Sequence, residues 1–553
     1  MANDWLGHAH IIAADFNNNS KPDILARASQ ADPGGENDPG TLYMIYDQIF
    51  GSLSGTGNII KLSDPNTYNY LFYARAGDKV GGYSNYGDFD NDGKNDLVFG
   101  GSYSDYNGKH NSGAVWVILN PLLNTFSGEV NVNLDANFSS RFEGPNADKI
   151  FSDPDINVAD VNADGADDIM IGSISAQVDG RVKSGAIFVI YSTLFAGLPG
   201  PGNIFNMATS TSYNLVFYGA AYKAVSLPAL INGDLDGDGK IDLMFSGWQS
   251  ENNWDTEGNI YLVKNEIFSE ISGTGNLIDL SDPNNYNIKI SGAGDNSTIG
   301  VHYISASDYN LDGKLDIIAS AEEETYDSRA YAGALYYINN SIFSQYIGKG
   351  KSFVLNSSSN YSIRYVGSSE MELFSSLDTT RVADLNGDSF PDLITGTGTW
   401  NNTPDYLDRI DAGFVYVIYN FPHSISINSA TASADSATVL GSVSAPNSPS
   451  KISGVEYQID GNSSTGNWRS CIATDGAFDS NIESYTCNIS DLNLLGHRVY
   501  LRTYDENGVY TISSRYASSV FSLAPGFPTT GLGENRLINF LFWLKTKILN
   551  LLN

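Results

Sequence analysis

The chain has 553 residues, with 30 Lys plus Arg against 63 Asp plus Glu and a formal charge of −33, which repels phosphate backbones and argues against a nucleic-acid partner. With 41% hydrophobic residues, 33 Tyr and 26 Phe, it is too apolar for an acidic disordered tail and reads as folded. Two cysteines exclude a disulfide-built scaffold, and no stretch of the sequence reaches the roughly 18 to 20 apolar residues of a membrane span.

In chain order, the first twenty residues, MANDWLGHAHIIAADFNNNS, lack the charged segment and apolar core of an export signal. From Asp15 onwards one pattern recurs. DFNNNSKPDIL, DFDNDGKNDLV, DVNADGADDIM, DLDGDGKIDLM, DYNLDGKLDII and DLNGDSFPDLI begin at positions 15, 88, 160, 234, 308 and 384. A fixed period is the mark of a repeat architecture. A glycine opening an apolar strand follows each loop, at Gly40, Gly113, Gly185, Gly258, Gly333 and Gly413, as in GAVWVIL and GALYYIN. Then comes a tyrosine-rich run, as in NTYNYLFYARAG and NNYNIKISGAG, with a weaker counterpart, NLDANFSSRFEG, in the second repeat. Two approaches to it, GSLSGTGNIIKLSDPNTYN from 51 and SEISGTGNLIDLSDPNNYN from 269, are close copies and point to internal duplication.

Each repeat therefore predicts four short strands: two around the acidic loop, the glycine-led strand and the tyrosine-led strand. Four strands per repeat predict one blade of a β-propeller, giving six blades over residues 1–422. Six copies of the first three strands stand against five clear tyrosine-led ones. This mismatch predicts that the reading frame has lost its N-terminus, export signal included, from a parent of six or seven blades.

Carboxylates at positions 1, 3, 5 and 9 of a tight loop, with glycine at 6, point several oxygens at one hard cation, and without it they repel. Asp88, Asp90, Asp92, Asp96 and Asp234, Asp236, Asp238, Asp242 supply four carboxylates each. Asp160, Asn162, Asp164, Asp168 and Asp308, Asn310, Asp312, Asp316 supply three, as do Asp384, Asn386, Asp388, Asp392, where Ser389 replaces the glycine. Asp15, Asn17, Asn19, Asp23 supply two, with Ser20 at the turn, and are expected to bind weakly or not at all. Up to six Ca²⁺ ions are predicted, chiefly as fold-stabilising staples. An EF-hand is rejected: it needs Glu at position 12 and flanking helices, whereas position 12 is apolar in five loops and flanks such as DLVFGG read as buried strands.

These residues resemble the FG-GAP repeats of the integrin alpha-subunit propeller and its bacterial relatives, over residues 10 to about 420. The resemblance implies calcium on the hairpin side of the disc and ligand binding on the opposite side. Loops between the second and third strands carry Tyr103, Tyr106, Trp248, Trp254, Tyr326, Trp400 and Tyr406, which either contact a sugar or protein ligand or pack their own loops. No catalytic constellation emerges: the six histidines are scattered, and the clustered acids are those of the loops.

Past VYVIYNFP the period stops. Residues 423–524 alternate at the spacing of a β-sandwich and resemble an immunoglobulin- or fibronectin-like module of bacterial surface proteins. Cys471 and Cys487 are expected on neighbouring strands, bridged in an oxidising setting. Residues 525–553 contain FPTTG, similar to a sortase signal. The apolar run beyond it fits an amphipathic segment on a membrane surface equally, or a helix docked on protein. The expected function is non-catalytic adhesion or binding of a protein or glycan outside the cell. The alternatives are a carbohydrate-active lyase or hydrolase on the same scaffold and a passive spacer.

Overall fold

A computed structural model describes residues 6–28, 31–33, 39–147, 151, 156–174, 176–220, 223–249, 258–269, 271–294, 296–301, 303–310, 313–368, 370, 372–375, 380–385, 391–397, 415–418, 424–432, 436–444, 451–459, 468–480, 482–490, 492, 496–505 and 519–522. The chain divides into two compact units, one of residues 1–307, 314–380 and 395–415, the other of 308–313, 381–394 and 416–553.

The first unit is all-β and propeller-like, with one plan repeated from sheet to sheet. In the second repeat the acidic loop joins Val80–Gly87 to Asp96–Gly101, the glycine-led strand is Ala114–Ile118, and the tyrosine-led counterpart is Ser140–Glu143. All pair antiparallel in that order. The first strands of successive sheets, Leu6–Ala14, Val80–Gly87, Ile156–Ala159, Lys223–Gly233 and Ile304–Ser307, lie one against the next.

The sheets hold one strand more than the four read from the sequence. Gly128–Asn131, Asn203–Asn206, Asn276–Asp279 and Lys351–Val354 each pair in parallel with the outer, tyrosine-led strand of the preceding repeat. Each closes its neighbour's sheet and then turns through a single 3-10 turn, such as Pro283–Asn285, into its own tyrosine-led strand. Such a strand is four residues long, and its partner is fixed only when two blades meet, so its own pattern does not declare it. The fifth sheet ends at Ile363–Val366, and a sixth consists of Arg381–Ala383, Asp392–Gly396 and Val415–Ile418.

Sheets stack face to face. Met44, Tyr70 and Phe72 of the first meet Leu97, Phe99 and Trp116 of the second; Val98, Val115 and Val117 meet Ile169, Ile171 and Phe188 of the third. Both faces of a middle strand are therefore covered, which is why Ala114–Ile118, Ala186–Ile190 and Ala334–Ile338 are continuous apolar runs, buried at every position. The glycine opening these strands is dictated twice over. Gly113 has φ +78°, and a Cβ there would lie 2.3 Å from the Phe151 carbonyl oxygen; Gly333, at φ +78°, would meet the Phe374 nitrogen at 2.3 Å.

Within the second unit, two four-stranded sheets cover residues 424–522. One holds Ser424–Ala432, Ala437–Ser444, Ile482–Ile489 and Ile472–Ala473; the other holds Arg469–Ser470, Ile452–Ile459, Gly496–Asp505 and Ser519–Ser522. Val439, Val443 and Tyr485 of the first join Val455, Tyr457 and Leu501 of the second in one cluster. Cys471 and Cys487 are disulfide-bonded in that cluster, beside the paired residues Ile472 and Thr486. Among the described residues no helix is long and apolar enough to cross a membrane. The FPTTG segment and everything after it lie outside the described residues.

Candidate metal centre

The acidic loops share a backbone course set by their first carboxylate. Asp88 accepts the Asp92 N–H on Oδ1 at 2.9 Å and the Gly93 N–H on Oδ2 at 2.8 Å. Asp160 does the same with Asp164 and Gly165 at 3.0 and 2.9 Å, and Asp234 with Asp238 and Gly239 at 2.9 and 2.7 Å. Position 6 is left-handed, with φ of 80°, 92° and 83° at Gly93, Gly165 and Gly239, and Ser20 takes the same conformation at 64° in the first loop. Position 4 is left-handed as well: Asn18, Asn91, Ala163 and Gly237 have φ of 60°, 55°, 59° and 81°. The sequence reading missed position 4, whose only signal is that Asn or Gly stands there in three of these four loops.

Position 9 plays a second part. Asp96 is fully buried; its Oδ2 accepts the Phe89 N–H at 2.9 Å and its Oδ1 the Asn120 N–H at 2.6 Å, just past the end of the third strand. Asp23, Asp168 and Asp242 repeat this, receiving Phe16 and Asp47, Val161 and Ser192, and Leu235 and Asn265. Asp316 receives Asn340 and the Tyr337 hydroxyl, and Asp392 receives Leu385. The ninth aspartate thus ties the hairpin to the third strand whatever else it binds. Burial pushes Asp96 and Asp168 up to about 7 and Asp242 to about 6, against the lowering effect of those N–H donors.

The loops are also chained to one another. Asn95 Nδ2 donates to the Asp15 carbonyl at 2.8 Å, while Asp88 N–H donates to Asp167 Oδ2 at 2.9 Å and Asp167 N–H to the Asp88 carbonyl at 3.0 Å. Position 8 of one loop therefore grips position 1 of the loop before it, a role the sequence reading did not assign.

Oxygens on a common calcium ion, each at about 2.3–2.6 Å, lie no more than about 5 Å apart. Asp88, Asp90 and Asp96 each present an oxygen within 4.8 Å of the other two, and so do Asp234, Asp236 and Asp238. Among the described residues these are the acidic groups that could hold a metal, and both belong to the loops with four carboxylates. Asp90 Oδ1 is buried with no hydrogen-bond partner, and burial, then Asp92 and Asp88, raise that carboxyl. A buried acceptor facing two further carboxylates fits a hard cation, which would supply the missing positive charge. Lys94 lies 2.6 Å from Asp92, and Lys264 2.9 Å from Asp236, as partial counter-charges at the rim.

The first loop closes on itself. Asn17 Nδ2 donates to Asp23 Oδ1 at 3.0 Å, and Asn19 Nδ2 to Asp47 at 2.6 Å. In the third, Asn162 Nδ2 donates to Asp164 at 3.0 Å. Asp308 accepts the Gly313 N–H at 2.8 Å, with Asn310 nearby in sequence and buried. Asp384 lies at the end of Arg381–Ala383. Asp312, Asn386 and Asp388 lie outside the described residues.

Of the aromatic residues expected on ligand loops, Tyr106 is 5% exposed: its hydroxyl donates to Asn133 at 2.6 Å, and Arg141 covers its ring at 4.2 Å. It packs its own loop. Tyr103 and Tyr326 are each 37% exposed, beneath Lys79 and Arg364 respectively. Trp248 belongs to the strand Asp242–Gln249; Trp254, Trp400 and Tyr406 lie outside the described residues.

Residues 87–118 match the FG-GAP repeat. The match takes in Asp88, Asp90 and Asp96 together with the Gly113 approach, so the candidate metal centre of the second blade is the loop of an FG-GAP repeat. No curated protein matches the chain. Solved structures similar to part of it include the sulfane dehydrogenase SoxCD from Paracoccus pantotrophus, at 12% identity and TM-score 0.17 over 39% of this chain and 53% of that one. Another is MtrC from Shewanella baltica OS185, at 16% identity and TM-score 0.13 over 20% of this chain and 23% of that one. The chain thus spans about half of the first and a quarter of the second, and neither likeness bears on function.

Proposed function

We propose that this is an exported, bacterial, calcium-stabilised repeat protein that binds an extracellular protein or glycan in adhesion at the cell surface, without catalysis. The observation that carries this reading is the trio Asp88, Asp90 and Asp96 inside an FG-GAP repeat, with Asp90 Oδ1 buried and unpartnered. Calcium there would fix the hairpin, which is hydrogen-bonded to the loops before and after it. The residues holding it would be Asp88, Asp90 and Asp92 of the second loop and Asp234, Asp236 and Asp238 of the fourth, with Asp96 and Asp242 completing each set. The loops at 160, 308 and 384 follow with fewer carboxylates, and the first contributes least.

In this reading residues 1–422 form the propeller and 423–524 an immunoglobulin- or fibronectin-like spacer that carries it away from the cell. The disulfide within the spacer suits an oxidising compartment. The decisive test is calorimetry of the full chain with calcium and with chelator, beside titration of calcium into chelated protein. Calcium is expected to raise Tm and to bind at two or more sites; equal melting with and without chelator overturns the reading. Turnover of any member of a polysaccharide panel would overturn its non-catalytic part.

A further inference from the structure

The residue that follows the glycine-led strand has the same backbone in each of the first five repeats. Tyr46, Leu119, Tyr191, Lys264 and Asn339 have φ between −73° and −65° and ψ between 141° and 152°. Each donates its N–H to the side chain just before the tyrosine-led strand: Asn69, Ser139, Asn214, Asn287 and Ser362 accept at 2.8 to 3.2 Å. The residue after it donates its own N–H to the ninth aspartate of the acidic loop. The side chain at this place therefore leaves from one fixed point beside its own loop, and only its chemistry differs between repeats.

The second and fourth repeats, whose loops each hold a trio that could bind a metal, differ there in charge. In the second, Leu119 offers no polar atom, and Asp90, third in its loop, keeps Oδ1 buried without a partner. In the fourth, Lys264 Nζ lies 2.9 Å from Oδ2 of Asp236, the same third aspartate, whose Oδ1 accepts the Asp238 N–H at 3.2 Å. Asp236 belongs to the trio Asp234, Asp236 and Asp238, so the ammonium rests on a carboxylate that the cation would need. The lysine at the seventh place of the loop does not separate the two cases: both loops have one, Lys94 and Lys240, and Lys94 lies on Asp92, outside the trio Asp88, Asp90 and Asp96. The third repeat shows the same direction of approach. Burial, then Asp168 and Asp164, push the Tyr191 hydroxyl up to about 12, which places that side chain beside the acids of its own loop.

Resting on the calcium reading above, we propose that Lys264 is a tethered cation that competes with calcium for Asp236, so that the fourth loop fills only at higher calcium than the second. An ammonium at the end of a short stem competes at high effective concentration, and it must be displaced from Asp236, against its own charge, before a divalent ion takes the full carboxylate set. At lower calcium the lysine neutralises part of the charge of the fourth loop and ties the hairpin to the end of its third strand. The second loop, facing Leu119, has no such substitute and depends on the ion.

Amide exchange of the full-length protein across a calcium titration reads the two loops separately, in residues 88–96 and 234–242. The second loop is expected to gain protection at calcium about tenfold lower than the fourth. Lys264→Met, which keeps the stem and removes the charge, is expected to lower the midpoint of the fourth loop about tenfold and to leave that of the second unchanged. Leu119→Lys is expected to raise the midpoint of the second loop by a similar factor without moving the fourth, a test that does not depend on K264M folding. The proposal is overturned if the fourth loop fills before or together with the second in the unsubstituted protein, if K264M leaves the fourth midpoint where it was, or if L119K leaves the second. Each of those results leaves the calcium reading standing, whereas no calcium-dependent protection in either loop overturns both.

Discussion

Ala163 sits at φ 59° in the fourth place of the third acidic loop, where the first, second and fourth loops use Asn18, Asn91 and Gly237. A left-handed alanine costs about 1 kcal/mol that glycine does not, so Ala163→Gly is expected to stabilise the protein by about 0.5–1 kcal/mol in urea unfolding. Gly113 is the opposite case: Gly113→Ala adds a Cβ 2.3 Å from the Phe151 carbonyl oxygen at φ +78°, and a loss of roughly 2 kcal/mol or more is expected. Asp96 and Asp168, held near 7 by burial, set the sign of the pH response. Their folded values lie above the ordinary carboxylate value, so the ion-free fold keeps protons that the unfolded chain releases. The cost of ionising them is absent below about pH 4, grows as pH rises towards 7 and is full above it. Chelated protein is therefore expected to melt at a lower temperature at pH 8 than at pH 5, while the rise in Tm produced by calcium should be larger at pH 8, where protons no longer compete. A chelated sample that melts higher at pH 8 than at pH 5 would contradict this.

The element that governs the blades is the added strand. Ile278 of Asn276–Asp279 is 3% exposed and packs with Phe217 and Leu243, so it serves the sheet of the repeat before its own. Ile278→Ala is expected to cost about 2–4 kcal/mol, and amide exchange should accelerate first in Leu215–Tyr218, the strand it covers, rather than in the following repeat. The hairpins were legible because their constraints are local: spacing, charge and turn glycines all fall within eleven residues. The third strands were legible as unbroken apolar runs. The added strands were not, because GEVN, NIFN and KSFV carry neither clear alternation nor turn signals, and four residues gain a sheet only where another blade offers an edge. The same holds for Lys109 and Arg181, whose partners Asn206 and Asp279 arrive from another repeat.

At the scale of the whole molecule, stability is spread in the first unit over five sheets packed in succession and in the second over the sheets of residues 424–522. Reducing the Cys471–Cys487 bond, which closes a separation of 16 residues, is expected to cost about 3 kcal/mol and to leave calcium binding unchanged; a calcium titration before and after reduction checks it. Sequence by itself determined the period, the acidic hairpins and the glycine-led strands, since each is written in residues close together along the chain. Tertiary structure decided that the ninth aspartate also ties its hairpin to the end of the third strand, that Tyr106 is buried, and that each of the first four sheets takes its last strand from the next repeat. Those outcomes depend on atoms some 25 to 100 residues apart, and only the packing of one sheet on the next brings them within reach.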